Sequence, residues 1–215
     1  MNGVYFGEIH SYHDLKLLLA PFAPSPAKPQ TNFLKVPGRD GSLDLTEANG
    51  EVKFESREFT FTFYMTPDDA LTFDERVSKV NDALNGTRCK ITLDRDPEYY
   101  WLGRCVVNKY TQDKNIGKIV VKATVEPYKL KQNATVVSAA LSSAAKTVFV
   151  ENGRMPSVPV IECTDSGAVV VFEGNTYTLN AGTNKILDIR FKEGSNVLML
   201  SGSGTITFTY QEGAL

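Results

Sequence analysis

Alternation of apolar and polar residues is the feature that most constrains the fold of this chain of 215 residues. It is clearest in "EVKFESREFTFTFYM", where Phe59, Phe61, Phe63 and Met65 stand between polar neighbours. Successive side chains of a β-strand point to opposite faces of the sheet, so this spacing predicts a strand with one buried face. The alternation changes parity near Ser56, which predicts either one bulged strand or two short ones.

Similar patterns predict strands along most of the chain, and the protein is therefore expected to be mainly β. Before residue 131 the other predicted strands are 3–9, 32–36, 88–94, 99–113 and 117–130. After it they are shorter, and comprise 146–152, 157–164, 168–174, 175–182, 184–191, 195–202 and 204–211. The segment 20–30 is rich in proline, which cannot donate to a sheet ladder, and predicts an extended surface connection.

One helix is predicted in "TPDDALTFDERVSKVNDALNG". Thr66 is a suitable N-cap and Pro67 fits the first helical position. The apolar residues that follow recur at the spacing of one helical face, and they are Phe73, Val77, Val80 and Leu84. Gly86 provides a left-handed end to this helix.

A change of composition divides the chain. From Lys131 to Ala145 the residues are small and polar, which predicts an interdomain connection or an edge strand. We therefore expect two domains, residues 1–130 and residues 131–215. The short, regularly spaced strands of the second predict a smaller antiparallel β-sandwich.

Charge and hydropathy exclude several classes of protein. The 23 basic residues nearly balance the 25 acidic residues, so the basic excess that nucleic-acid binding needs is missing. No stretch approaches the roughly 18–20 apolar residues of a membrane span, and we expect no membrane insertion. Glu8 and Asp14, without a basic residue before them, also argue against an export signal. Cys89, Cys105 and Cys163 match no zinc spacing and are expected to be buried or half-buried thiols.

The candidate catalytic residues are few. His10 and His13 are the only histidines, and they fit neither a metalloprotease motif nor a serine triad with its nucleophile elbow. Asp94, Asp96 and Glu98 begin like a calcium loop but lack its later glycine and glutamate, and they are more typical of a solvated turn. We therefore expect no metal, no cofactor and no catalytic residue.

Two further motifs are better explained by structure than by chemistry. The "YYW" run at Tyr99 offers a stacking platform for sugar or protein, but alternation favours core and rim positions. "VPGRDGSLDL" contains two glycines that allow a tight turn, so "PGRDG" predicts a rigid corner before a new strand. Arg39 and Asp40 are expected to pair across this corner or with a neighbouring subunit.

The order of these motifs resembles the siphophage distal tail (Dit) family. The resemblance covers residues 1–130 and includes the proline-rich connection, "PGRDG", the helix and "DPEYYWLGR". Residues 131–215 resemble the family in the spacing of their strands and not in a motif. This spacing fits the galectin-like β-sandwich that such proteins carry at the C-terminus. The residues that carry the family-like motif are Pro37, Gly38, Arg39, Asp40, Gly41, Asp96, Pro97, Tyr100, Gly103 and Arg104.

The resemblance implies a structural virion protein and not an enzyme. It implies an N-terminal β-sandwich-like domain with one helix, which assembles into a ring of six identical subunits, and outward-projecting C-terminal sandwiches. Such a ring joins the tail tube protein to tail-tip proteins of the tail-associated lysin type and to a receptor-binding protein. The implied location is the tail tip of the virion, after synthesis in the cytoplasm of the bacterial host.

The alternating strand suggests where subunits meet, and other functions stay open. A closed ring uses two different patches of each subunit. The polar residues beside the phenylalanines are predicted to line this interface, and they are Arg57, Glu58, Thr60 and Thr62. The main alternative is a receptor- or glycan-binding module that contacts cell-wall sugar with Tyr177. A tail-associated hydrolase would have to use Asp94, Asp96 or Glu98.

Overall fold

The computed structural model describes residues 3–48, 50–65, 71–113 and 116–215. The chain forms two compact units, residues 1–129 and 130–215. Each unit has its own cluster of buried apolar side chains. Among the described residues, no helix is long and apolar enough to cross a membrane.

The first unit is built around one antiparallel sheet. Its elements are β1 (Val4–Phe6), β2 (Ile9–His10), β3 (Leu17–Leu19), β4 (Phe33–Lys35), β5 (Ser42–Asp44), β6 (Arg57–Met65), α1 (Phe73–Leu84), β7 (Arg88–Leu93), β8 (Tyr99–Asp113) and β9 (Ile116–Val125). Seven of these strands lie in the order β2-β1-β7-β8-β9-β6-β3. β4 and β5 form a separate two-stranded sheet.

The buried face of β6 is the one that the alternation predicts. Phe59, Phe61 and Phe63 are all fully buried. Phe61 lies opposite Val121 of β9, and the ring of Phe6 meets the ring of Phe61 edge-on at 5.5 Å between centroids. These side chains form the centre of the first core, so the prediction for this strand is confirmed.

Three of the strands predicted before residue 131 differ from the structure by more than one residue at an end. Residues 3–9 form a hairpin of β1 and β2 instead of one strand, because Gly7 turns the chain with a φ of 65°. β6 begins only at Arg57, and Phe54 forms an isolated bridge with Pro29. The predicted strand 117–130 ends at Val125, before a separate short strand.

The helix begins six residues later than predicted. Thr72 caps α1: its hydroxyl accepts from the backbone N–H of Glu75, whose carboxylate accepts from the N–H of Thr72. Thr66 and Pro67 lie outside the described residues. The predicted face is otherwise confirmed, since Val77, Val80 and Leu84 are buried. Gly86 follows with a φ of 79°.

The second unit is a sandwich of two four-stranded sheets. The strands after β9 are β10 (Lys129–Lys131), β11 (Thr135–Ala140), β12 (Lys146–Asn152), β13 (Val160–Cys163), β14 (Ala168–Phe172), β15 (Asn175–Leu179), β16 (Gly182–Asn184), β17 (Gly194–Ser201), β18 (Thr205–Tyr210) and β19 (Gly213–Ala214). One sheet has the order β11-β18-β13-β16 and the other β12-β17-β14-β15. The predicted mainly β fold with a C-terminal antiparallel sandwich is confirmed.

One predicted strand of the sandwich is wrong. Residues 184–191 alternate like a strand, but β16 ends at Asn184 and a turn follows, in which Ile189 N–H donates to the Ile186 carbonyl. The segment returns to the sheet only at Phe191, which bridges to Ser157. Ile189 and Phe191 are fully buried, so the alternation arises from a loop that fills the core.

Candidate interaction surfaces

The "PGRDG" corner joins β4 to β5, as predicted for a turn between strands. Gly38 and Gly41 have φ values of 80° and 74°, a region that residues with side chains disfavour.

At the end of β5, hydrogen bonds from the hydroxyl and the backbone N–H of Thr46 lower the pKa of Asp44. In the described ranges neither Arg39 nor Asp40 forms a salt bridge, so the pairing across the corner is not seen.

The hairpin formed by residues 33–44, hereafter the hairpin arm, is exposed on both faces. Phe33 and Leu34 keep 58% and 50% of their surface exposed, and Leu43 is the one half-buried residue of the arm. A two-stranded hairpin is marginally stable alone in water, and contiguous exposed apolar residues are typical of interaction sites. The arm is therefore a candidate subunit contact; the sequence suggested such a contact for Arg39 and Asp40 at its tip, but not for Phe33 and Leu34.

The outer face of β6 carries three of the four predicted interface residues. Glu58 and Thr60 are exposed and Thr62 is half-buried. The Glu58 carboxylate pairs with Lys122 of the adjacent strand β9 at 2.8 Å. This face is accessible, and its role as a subunit interface stays a prediction.

Arg57 lies on the opposite, buried face, so its predicted position beside Glu58 is wrong. It shares the parity of Phe59, and its guanidinium lies 5.2 Å from the centre of that ring. The guanidinium donates to the carbonyls of Ser25 and Pro127. Burial lowers the pKa of Arg57. Arg57 therefore anchors the proline-rich connection to the sheet.

The "DPEYYWLGR" stretch holds the turn from β7 into β8. Asp96 accepts from the ammonium of Lys129 at 2.7 Å, and Pro97 lies in the turn that follows. Tyr100 packs under the ammonium of Lys90, 4.4 Å from the ring centre. Burial, and then the charge of Glu126, raise the pKa of Tyr100.

Trp101, Gly103 and Arg104 continue β8 with distinct roles. Trp101 is buried in the core, which confirms core and rim positions for the aromatic run. A Cβ at Gly103 would lie 2.5 Å from a methyl of Val125, so β8 and β9 approach closely there. The Arg104 guanidinium donates to the carbonyl of Gly86 and so holds the turn between α1 and β7 against β8.

The residues considered for catalysis hold loops together. Asp94 accepts from the backbone N–H of Gly3 at 2.7 Å and contacts the imidazole Nε2 of His10 at 3.2 Å. The ring of His13 lies against that of His10, with 4.5 Å between ring centroids and a tilt of 34°. Within the described ranges, no group of three His, Cys, Asp or Glu side chains could hold a metal ion.

The cysteines are free thiols. Cys105 and Cys163 are buried, and Cys89 is half-buried. A hydrogen bond with Cys89, together with burial, raises the pKa of Cys105, and the same hydrogen bond lowers the pKa of Cys89. These positions agree with the expectation of buried or half-buried thiols.

The sandwich exposes a second apolar surface that the sequence did not reveal. Tyr177, the suggested sugar contact, is half-buried and packs against the core. Phe149, Val197 and Met199 instead lie on the outer face, with 65%, 49% and 47% of their surface exposed. A signal was present in "VFV" of β12, where apolar residues occupy both faces of the strand.

Comparison with known proteins identifies relatives of this chain. The family model described as "Phage tail protein RIFT-related domain" matches residues 7–136. The crystal structure of the Dit protein (gp 19.1) of phage SPP1 has a similar fold, with a TM-score of 0.70, 16% identity and full coverage of both chains. That protein is described as a paradigm of the hub adsorption apparatus in phages infecting Gram-positive bacteria. No curated protein matches.

Proposed function

The chain belongs to the family of phage tail proteins with the RIFT-related domain, and from this membership we propose that it is the distal tail protein of a siphophage or prophage. Six copies form a ring that joins the tail tube to the tail-tip or baseplate proteins. The protein is a structural part of the virion tail tip, made in the host cytoplasm, and has no catalytic role. Its partners are the tail tube protein, a tail-associated lysin-type protein and a receptor-binding protein.

The observation that carries this proposal is the family match over residues 7–136. The likeness of fold to the SPP1 hub protein over the whole chain supports it. The candidate catalytic groups are engaged in structural contacts: Asp94 holds Gly3 and His10, and Asp96 holds Lys129. These contacts favour a scaffold over a hydrolase.

The ring contact, in our proposal, uses two different patches of each subunit. A closed ring of identical subunits needs a heterologous contact, in which one patch meets a different patch of the next subunit. The hairpin arm supplies the first patch, with Phe33 and Leu34 as apolar contacts and Arg39 and Asp40 as partners for charges of the neighbour. The outer face of β6, with Glu58 and Thr60, supplies the second.

The test is the mass and shape of the purified full chain. Native mass spectrometry and negative-stain microscopy are expected to show rings whose subunit count is a multiple of six. Phe33→Asp should abolish the ring and leave the subunit folded, because an exposed side chain tolerates a charge but an apolar contact does not. Glu58→Lys should weaken the ring, because it reverses the charge of a residue in the second patch, and it should leave the subunit folded, because the pair that it breaks with Lys122 is exposed.

The control is Leu187→Asp, which places the same charge at an apolar residue with 72% of its surface exposed in the second unit. It should leave the ring intact. A full chain that shows no ring at any concentration would disprove the proposed function. Rings that persist in Phe33→Asp would show that the hairpin arm is not the contact.

A further inference from the structure

The longest edge strand of the sandwich is β12, with 7 residues. It stands at the end of the order β12-β17-β14-β15 and pairs with β17 on one side only. Edge strands present unpaired backbone groups, and proteins commonly protect them with proline, bulges or inward charges. "KTVFVEN" contains no proline, its pairing with β17 runs without a register shift, and its one lysine, Lys146, stands at the exposed first position. The edge is therefore available to another strand.

The outer face beside this edge is apolar. Phe149 lies opposite Val197, and Met199 lies opposite Val171 on the next strand. Glu151 is the one charged residue among the outward positions of β12 and β17. The outer face of the other sheet is different, because the outward positions of its central strand β18 are Thr205, Thr207 and Thr209. The two faces thus have distinct chemistry.

The apolar centre of β12, Val148-Phe149-Val150, is symmetric about Phe149. If a second β12 lies antiparallel to it with Phe149 opposite Phe149, then Val148 lies opposite Val150 and Lys146 lies opposite Asn152. Thr147 lies opposite Glu151, so no like charges meet. A cross-strand pair of aromatic residues stabilises an antiparallel pair, and the valines fit a pleated surface.

We propose that β12 is a self-complementary edge at which two copies of this chain pair, antiparallel and about a two-fold axis through Phe149. The pairing joins two four-stranded sheets into one sheet of eight and brings the two apolar faces together. The end of β12 is already held in place, because the Tyr210 hydroxyl donates to the carbonyl of Glu151. An ordered edge loses little conformational freedom on pairing. This contact is separate from the ring contact of the first unit.

The experiment compares the mass of the full chain with that of two variants by analytical ultracentrifugation. Phe149→Lys places two lysines opposite each other at the axis and should halve the mass of the particle, a change of about two-fold. Thr176→Lys puts the same residue on β15, the opposite edge of that sheet, and should leave the mass unchanged. Halving is expected whether the larger particle is a pair of rings or a pair of single subunits.

Hydrogen exchange gives an independent measurement. Those backbone amides of residues 147–149 that face the free edge should exchange more slowly in the native chain than in Phe149→Lys. The circular dichroism spectra of the two proteins should be the same, because Phe149 is exposed and its replacement leaves the subunit folded. Equal masses for the native chain and Phe149→Lys would overturn the proposal. So would binding of the edge to a saccharide, or to a strand of another tail protein, by a native chain that does not itself pair.

Discussion

At the scale of single residues, several polar groups that suggest chemistry serve the fold instead. The Nδ1 of His10 accepts the backbone N–H groups of Tyr12 and His13, so we assign the proton to Nε2, which donates to Asp94. The ring is almost fully buried. Both ring nitrogens are thereby used to close the loop between β2 and β3. A buried, fully hydrogen-bonded imidazole of this kind stabilises a loop and has no free nitrogen for a metal.

Gly103 is the residue of the family-like motif with the clearest steric role. Gly103→Ala should destabilise the first unit by about 1–3 kcal/mol, because the added Cβ would lie 2.5 Å from Val125 and 2.7 Å from the Thr124 carbonyl. Trp101 is the one tryptophan of the chain and is buried nearby, so urea unfolding followed by its fluorescence reports on this unit. The control Val106→Ala, at an exposed position of β8, should change stability by less than about 0.5 kcal/mol. Equal effects of the two changes would contradict the close approach.

At the scale of elements, the sequence predicted β8 and β12 to their end residues because alternation and turn residues agree there. It misplaced the start of α1 because both Thr66 and Thr72 suit an N-cap. Thr72 has Glu75 three residues later and completes a capping box, whereas Asp69 follows Thr66.

The candidate surfaces were harder to predict than the strands. The sequence shows that Phe33 and Phe149 lie in strands, but not that β4 stays outside the main sheet or that β12 lies at an edge. Exposure of these rings depends on which strands are neighbours, and that pairing is non-local. The inner face of β6 and the outer position of Glu58 could be predicted, because they depend on alternation within one strand. The corner could be predicted because it depends on its own glycines.

The hydrogen bonds that Glu212 accepts from Lys131 and Thr135 predict that the stability of the second unit depends on pH. Burial raises the pKa of Glu212, but hydrogen bonds from Lys131 and Thr135 outweigh it and the net pKa is lowered from 4.5. A carboxylate whose pKa is lower in the folded than in the unfolded state stabilises the fold at pH values above its unfolded-state pKa. This stabilisation is lost as the pH falls through the folded-state pKa. Glu212→Gln should therefore lower stability by about 1 kcal/mol at neutral pH.

The measurement is calorimetric unfolding of the full chain and of Glu212→Gln at neutral pH and well below pH 4.5, the ordinary pKa of the group. The difference between the two proteins should disappear in acid. Glu193→Gln is the control, because that carboxylate is 56% exposed and pairs at the surface with Arg154. A difference that persists unchanged in acid would show that the carboxylate charge is not the cause.

At the scale of the whole molecule, the two proposed contacts belong to different units. The ring contact uses the hairpin arm and β6, within residues 1–129, and the two-fold pairing uses β12, within residues 130–215. Each unit has its own core, with Phe61 at the centre of the first and Phe191 within the second. Separate cores allow a unit to fold without the other. Ring formation and pairing are therefore expected to be separable by truncation.

Deletion of residues 131–215 tests this separation. The fragment 1–130 retains the complete first core and should be soluble, folded and still able to form a ring, because the hairpin arm and the outer face of β6 remain. It should not form pairs of rings, because β12 is removed. Trp101 fluorescence verifies folding, and native mass spectrometry counts the subunits of the fragment beside those of the full chain and of Phe149→Lys. A folded fragment that stays monomeric at high concentration would show that the ring needs residues of the second unit. A fragment that forms ring pairs as the full chain does would place the two-fold contact in the first unit and remove the role of β12.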